Sequence, residues 1–148
     1  MVTLNPYHKV KIPLTSSPDI RIQTTVKVGQ IAEDIACAYL LKQGLALMSR
    51  NYRCRMGEID LVFLDPLKNN VVFIEVRYRK NIRFGTAAET VTYHKQHKLI
   101  KTASHYLQQQ KLLMACRFDV IAMGPSLHEK SDIVWIKNAF SVESTHSN

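Results

Sequence analysis

The stretch GEIDLVFLDPLKNNVVFIEVRYR, residues 57–79, constrains the fold of this chain more than any other. It contains two runs rich in β-branched and aromatic residues, Ile59–Leu64 and Val71–Val76. Asp-Pro and Asn-Asn turn signals separate them, so the pattern predicts a β-hairpin. Both runs are apolar at consecutive positions, which is typical of strands buried on both faces. The hairpin is therefore expected in the middle of a sheet.

Each run of this hairpin carries one carboxylate where an apolar residue is expected, Asp60 in the first and Glu75 in the second. A buried ionised carboxylate is costly unless a cation compensates it, and two such groups close together raise each other's pKa. Arg77 and Arg79 follow Glu75 at a spacing of two, which places the three on one strand face if the strand stays regular. The acid pair therefore predicts a site for a divalent cation or a positive side chain.

The charge of the chain favours a polyanionic partner. Lys and Arg number 20 against 12 Asp and Glu, a net charge of +8, which suits nucleic acid or an acidic membrane surface. The excess is concentrated beside the hairpin, since the segment from Arg77 to Lys101 holds a single acid, Glu89. We interpret the following basic residues as candidate phosphate contacts: Arg53, Arg55, Arg79, Lys80, Arg83, Lys98 and Lys101.

Length and cysteine content predict one cytoplasmic domain. At 148 residues the chain is long enough for one core and too short for two. Cys37, Cys54 and Cys116 are widely spaced and lack a CxxC pattern, so we expect reduced thiols. No signal-peptide pattern opens the chain, and no apolar run approaches the roughly 18 residues of a membrane span. Contact with a membrane is not expected.

Three segments are expected along the chain: an extended or disordered N-terminal arm at 1–26, a domain at 27–140 and a flexible tail at 141–148. The arm holds three prolines and no sustained periodicity; its Lys9, Lys11 and Arg21 could contact phosphates or simply be solvated. A first amphipathic helix is predicted over 27–42, closed by Gly44. Glu33 flanks its apolar face and could reach the acid pair, or be a solvated acid aided by the helix dipole.

The remaining pattern predicts a strand at 45–52, a second helix from Thr86 to Gln110 with Glu89 in a capping box, a strand at 117–123 and an edge strand at 133–140. Lys95 continues the apolar stripe of the second helix, so it either reaches solvent or points at the carboxylates. Asp119, embedded in the fourth strand, could pair with Arg117, cap a turn or act as a ligand. Helices interleaved with these strands predict an α/β sheet flanked by helices.

Two carboxylates on neighbouring central strands are hard oxygen ligands of the kind that Mg²⁺ or Mn²⁺ prefers. A metal held by Asp60, Glu75 and the carbonyl of Val76 could polarise a phosphodiester and lower the pKa of a bound water. A nearby cation would stabilise the developing charge. The pattern is compatible with phosphodiester hydrolysis.

From about Gly29 to Phe140 the chain resembles the YraN family of bacterial proteins, itself similar to the PD-(D/E)xK nuclease superfamily with the restriction-endonuclease-like fold. The resemblance rests on GQIAEDIACAYL, NYRCRMGEIDLV, VFIEVRYR, the pair Phe84-Gly85, Lys95, RFDVI and the final NAF. It implies an αβββαβ core with a mixed central sheet, in which Asp60 and Glu75 are metal ligands, Glu33 is a first-helix acid and Lys95 is a functional lysine.

One position departs from the superfamily pattern. The lysine expected two residues after the second acid is Arg77 here, and arginine stays protonated but contacts phosphate bidentately. Either Arg77 keeps an electrostatic role, or Lys95 has taken the place of the lysine, or catalysis is lost.

Three functional hypotheses follow. The first is a Mg²⁺- or Mn²⁺-dependent DNA endonuclease, with branched DNA as one candidate substrate. The second is a nucleic-acid-binding module of the same fold without cleavage, and the third is a basic scaffold whose acids are merely salt-bridged to Arg77 and Lys95. Symmetric cutting of two strands needs two sites related by a twofold axis, so a homodimer is a further candidate assembly for the endonuclease.

Overall fold

The described part of the chain forms two helices and five strands. The computed structural model describes residues 18–78, 91–124 and 133–142. The elements are α1 Pro18–Lys42, β1 Ala46–Cys54, β2 Gly57–Asp65, β3 Asn70–Tyr78, α2 Tyr93–Gln109, β4 Cys116–Met123 and β5 Ile133–Phe140. This order confirms the predicted αβββαβ arrangement and the final edge strand.

All five strands form one mixed sheet in the order β1-β2-β3-β4-β5. The pairs β1–β2, β2–β3 and β4–β5 are antiparallel, whereas β3 and β4 are parallel. Parallel neighbours need a crossover connection, and α2 lies within the one that joins β3 to β4. The acid-bearing strands β2 and β3 are internal, as the sequence predicted.

Each helix covers one face of the sheet, and a separate apolar cluster lies beneath each. Side chains of β3 alternate between the two: Val72 and Ile74 pack with residues of α1, and Val71 and Phe73 pack with residues of α2. By the same alternation Glu75 and Arg77 fall on the α2 face. The double-sided burial of β3 explains why its sequence is a continuous apolar run.

Helix α1 begins earlier than the sequence predicted. We expected an extended arm to residue 26, but the helix starts at Pro18. The earlier start was not predicted because several residues there have low helix propensity: Thr24, Thr25, Val26 and Val28. Ser-Pro-Asp at 17–19, however, is a sequence typical of a helix beginning. The predicted end is confirmed: Gly44 has φ +88°, and Leu45 N–H donates to Leu40 O at 3.2 Å, which is the Schellman arrangement.

Helix α2 begins later than predicted. Thr92 is its N-cap, with extended φ −63° and ψ 152°, and its side chain accepts from the Lys95 N–H. The continuous helix expected from Thr86 is therefore wrong, because an extended residue interrupts it. The predicted capping box of Thr86 and Glu89, and the pair Phe84-Gly85, lie outside the described residues.

Asp119 is a structural acid. Arg117 Nε donates to both of its oxygens at 3.1 Å. Its carboxylate also accepts from Trp135 Nε1 at 3.0 Å and from the Asn138 N–H at 2.8 Å. Of the roles considered for Asp119, pairing with Arg117 is confirmed.

The same arginine binds a second buried acid that sequence reasoning missed. Arg117 Nη1 lies 2.9 Å from Asp65 Oδ2, and this ion pair is the first cause that lowers the pKa of Asp65. We call Asp65, Arg117, Asp119 and Trp135 the Arg117 cluster. Its charges are paired and hydrogen-bonded, the condition under which buried charge is tolerated.

The three cysteines are free thiols, as predicted: Cys37 is buried, and Cys54 and Cys116 are half-buried. Neither of the described helices is both long enough and apolar enough to span a membrane.

Replacing Asp119 by alanine should destabilise the protein strongly. The change leaves Arg117, Trp135 and the Asn138 N–H without their shared acceptor, and breaking a buried ion pair costs about 3–5 kcal/mol. Urea denaturation at pH 7 followed by circular dichroism would measure the change in the free energy of unfolding. A loss below about 1 kcal/mol would contradict a structural role for this acid.

Candidate active site

Asp60 lies where the pairing of β2 and β3 ends. Their register runs from Asp65 opposite Asn70 to Leu61 opposite Ile74, and one further step would place Asp60 opposite Glu75. At that step the regular main-chain pairing is replaced by a side-chain hydrogen bond, in which the Val76 N–H donates to Asp60 Oδ2 at 2.7 Å. A side chain thus supplies the acceptor for a main-chain N–H, and the acid is drawn between the two strands.

Glu75 meets two cations at one of its oxygens. Its Oε1 lies 3.4 Å from Lys95 Nζ and 3.7 Å from Arg77 Nη1. The Glu75 side chain is 6% exposed, whereas those of Lys95 and Arg77 are about one-third exposed, at 32% and 30%. Of the two alternatives for Lys95, the one that points it at the carboxylates is confirmed.

The second oxygen of Glu75 differs from the first in its surroundings. Within the described part of the chain, Oε2 is buried without a hydrogen-bond partner. Burial, and then the negative charge of Asp60, raise the pKa of Glu75 to about 7 against the opposing effect of Lys95 and Arg77. Burial also raises the pKa of Asp60, although its bond from the Val76 N–H opposes the shift. Among the described residues, burial and mutual repulsion thus outweigh the effect of Lys95 and Arg77 on the pKa of Glu75.

Glu33 approaches Asp60 from α1. The side chain is partly buried, and its pKa is raised first by burial and then by the charge of Asp60. A hydrogen bond with the Asn51 side chain acts in the opposite direction. Of the two alternatives for Glu33, the one that brings it near the acid pair agrees with its partial burial and the effect of Asp60, while its neighbour Asp34 is exposed and pairs with Arg50.

Asn51 is a site residue that sequence reasoning missed. It has φ +50° in the middle of β1, a left-handed conformation that asparagine tolerates better than most residues. The adjacent residues diverge: Arg50 pairs with Asp34 of α1, and the Tyr52 hydroxyl lies 2.6 Å from Nδ1 of His105 in α2. An asparagine inside an otherwise strand-like run was the signal that could have found it.

The carboxylates of Asp60 and Glu75 suit a hard divalent cation that takes few ligands from the protein. In the three described ranges, no three side chains among His, Cys, Asp and Glu are grouped to hold a metal ion, so Asp60 and Glu75 would be the carboxylate ligands. Mg²⁺ usually keeps several waters and takes one or two carboxylates, and the buried Oε2 of Glu75 needs a positive partner. Val76 lies at the site through its N–H; coordination by its carbonyl stays a prediction.

A surface pocket of about 370 Å³ lies beside the acids and is lined by Arg53, Cys54, Gly57, Glu58, Lys95 and Lys98. Gly57 lets α2 approach β2 closely: its φ is +154°, and a Cβ here would lie 3.0 Å from Thr102 Oγ1 and 3.6 Å from Lys98 Cβ. The same helix carries Lys95 to Glu75. The close approach at Gly57 therefore helps to set the position of Lys95.

The predicted phosphate contacts divide into three groups. Arg53 and Lys98 line the pocket, although Arg53 Nε also pairs with Glu58 at 3.2 Å. Arg55 and Lys101 are exposed, the first after β1 and the second on α2. The third group lies outside the described residues: Arg79, Lys80 and Arg83, together with Lys9 and Lys11 of the arm.

Replacing Glu75 by glutamine should stabilise the protein at alkaline pH. The folded-state pKa of about 7 exceeds the ordinary value of 4.5, so Glu75 favours folding below pH 4.5 and this contribution is lost as the pH rises through 7. At pH 8 the variant should be more stable than wild type by roughly 1–3 kcal/mol. At pH 4, below both pKa values, the two should be nearly equal. Urea denaturation without metal at both pH values measures this.

Asp119→Asn is the matched control, because it removes the charge of an acid that is fully hydrogen-bonded. This variant should be less stable than wild type at pH 8. Equal destabilisation by both substitutions would contradict the distinction drawn between the two acids.

Comparison with other proteins identifies the family. Residues 32–123 match the family described as Uncharacterised protein family UPF0102. A UPF0102 protein of Coxiella burnetii, strain RSA 331, is 48% identical over 121 residues, which cover 80% of this chain and 96% of the relative. One from Nitrosococcus oceani is 48% identical over 121 residues, covering 78% and 93%, and one from Herminiimonas arsenicoxydans is 50% identical over 112 residues, covering 76% and 85%. The resemblance to the YraN family is thus confirmed, and the chain belongs to the UPF0102 family.

Proposed function

We propose that this protein is a metal-dependent DNA endonuclease that hydrolyses phosphodiester bonds, and that it is a member of the PD-(D/E)xK superfamily. The observation that carries the proposal is the buried, donorless Oε2 of Glu75 in the electrostatic field of Asp60. Natural proteins rarely retain such an atom without a role or a ligand. Lys95, which contacts the other oxygen of Glu75, also lines a pocket together with Arg53 and Lys98.

The arrangement of elements supports the superfamily assignment. The chain has the αβββαβ order, and its two acids lie on adjacent internal strands. A third acid, Glu33, approaches from the first helix. These are the positions that the resemblance implied.

Asp60 and Glu75 would hold Mg²⁺ or Mn²⁺, which would supply polarisation of the scissile phosphate and a lowered pKa for the attacking water. The chain's own residues would orient the water and bind the phosphates. Lys95 can donate from Nζ to the water or to a phosphate oxygen while staying beside Glu75. Arg53 and Lys98 can bind neighbouring phosphates, each contributing to affinity and to its salt dependence.

A second lysine is available to take the role of the one missing two residues after Glu75. Arg77 Nη1 lies 3.7 Å from Glu75 Oε1, and Lys95 Nζ lies 3.4 Å from the same atom. A lysine ammonium is thus present at this acid, delivered by α2 rather than by β3. We propose that Lys95 orients the nucleophile and that Arg77 contacts phosphate.

The second candidate is a nucleic-acid-binding module without cleavage, favoured by Arg77 at the lysine position. The third candidate, a scaffold with salt-bridged acids, accounts for the contacts at Oε1 of Glu75. It leaves Oε2 without a partner in the described residues, and for this reason we place it last.

Replacing Asp60 by asparagine should abolish cleavage while leaving the fold intact. Asparagine can still accept from the Val76 N–H but contributes no charge, so Mn²⁺ binding measured by isothermal titration should fall at least tenfold. Cleavage of labelled duplex, single-stranded and branched DNA with Mg²⁺ or Mn²⁺ should fall by a factor of about 100 or more. Asp34→Asn, which changes an exposed acid of α1 that pairs with Arg50, is the control and should retain activity.

If wild-type protein cleaves none of these substrates yet binds them in a salt-dependent manner without metal, the binding module is the correct function. If it binds no nucleic acid at low salt, the scaffold is.

A pair of substitutions tests the division of roles between Lys95 and Arg77. Lys95→Ala should lower kcat about 100- to 10,000-fold with KM little changed, because positioned proton or water handling acts in the transition state. Arg77→Lys should keep or raise kcat. The reverse pattern, with Arg77→Lys inactive and Lys95→Ala active, would assign the catalytic cation to β3.

A further inference from the structure

The outer face of α2 combines positive charge with an exposed aromatic ring. The helix sequence, YHKQHKLIKTASHYLQQ, contains no Asp or Glu. Its exposed positions include His94, His97, Lys98 and Lys101. Tyr93, its first residue, is 71% exposed, although tyrosine is a residue that usually covers apolar surface. Such a face is complementary to a polyanion that also presents flat apolar surfaces.

Helical geometry connects this face to the acid pair. Successive residues turn by about 100° around the axis, so Tyr93, His97 and Lys101 form one row and Lys98 lies further round toward Lys95. Lys95 marks the far edge, where its ammonium contacts Glu75. The exposed arc therefore leads continuously from Tyr93, past Lys98 in the pocket, to the proposed catalytic acids.

The chemistry of Tyr93 distinguishes an unpaired strand from a duplex. Lysines alone suffice for the phosphates of a duplex, whose bases are stacked inside and present no face to a side chain. An exposed ring among cations is the combination by which proteins bind single strands, because every unpaired base offers a π face. A bound duplex would offer the exposed ring of Tyr93 no base face to stack on.

We propose that the outer face of α2 binds an unpaired strand, with Tyr93 stacking on a base while Lys98 and Lys101 bind the adjoining phosphates. This inference rests on the proposed function and narrows its substrate class to DNA that is single-stranded on one side of the cleaved bond, such as a flap or a branch. Tyr93 selects the substrate, and the acid pair is unaffected by it.

The test is a binding measurement in EDTA, so that no cleavage occurs. Fluorescence anisotropy gives the Kd of wild type, Tyr93→Ala and Tyr93→Phe for a labelled single strand, for the same strand with abasic positions and for the matched duplex. Leu113→Ala, which removes a fully exposed apolar side chain from the loop after α2, is the control. Tyr93→Ala should weaken single-strand binding roughly 5- to 100-fold, whereas Tyr93→Phe, which keeps the ring, and Leu113→Ala should change it less than about twofold.

Abasic positions supply the decisive comparison, because they keep the phosphates and remove the bases. Wild type should lose about as much affinity for the abasic strand as Tyr93→Ala loses for the intact one, and the two losses should not add. Duplex affinity should be the same in all variants.

Equal effects of Tyr93→Ala on single strand and duplex, or none on either, would overturn this inference and leave the nuclease proposal standing. A wild-type protein that binds neither form would overturn both.

Discussion

A carboxylate buried with too few donors is the constraint on which the site depends. Glu75 is placed on the α2 face by the strict alternation of β3, and Asp60 is drawn toward it because its Oδ2 replaces a main-chain acceptor for Val76. Two negative groups in that position repel each other and resist ionisation. The ammonium of Lys95, brought in by α2, compensates part of this cost. Within the described residues, no donor reaches the second carboxylate oxygen of Glu75.

The two acid systems of this sheet show what complete compensation looks like. In the Arg117 cluster, one guanidinium serves Asp65 and Asp119, and Trp135 and a backbone amide add further donors. At Glu75, two cations share one oxygen. In the first arrangement the acids are paired and hydrogen-bonded, whereas in the second the pKa of Glu75 is raised to about 7. Burial alone would not have told the two apart.

The sequence predicted the features that depend on local periodicity. Alternation and turn signals were enough to place the hairpin at the centre of a sheet, to mark Asp60 and Glu75 as misplaced acids and to put Lys95 on the inner stripe of a helix. It did not predict where the two helices begin. Residues with low helix propensity near position 25 are helical, and Thr92 is extended, because the surrounding structure overrides local propensity. Asn51 and the Asp65–Arg117 pair were also missed, since one needs a backbone angle and the other a contact across 52 positions.

The parallel crossover has a consequence for the folding pathway. Strands β2 and β3 are joined by a short turn, so their hairpin can form early, whereas α2 and β4 must close a longer loop before they dock. The nascent hairpin thus holds Asp60 and Glu75 together, with Arg77 on the same strand as Glu75, before α2 brings the ammonium of Lys95. We expect the ammonium of Lys95 to act after the rate-limiting barrier, so that its loss accelerates unfolding more than it slows folding.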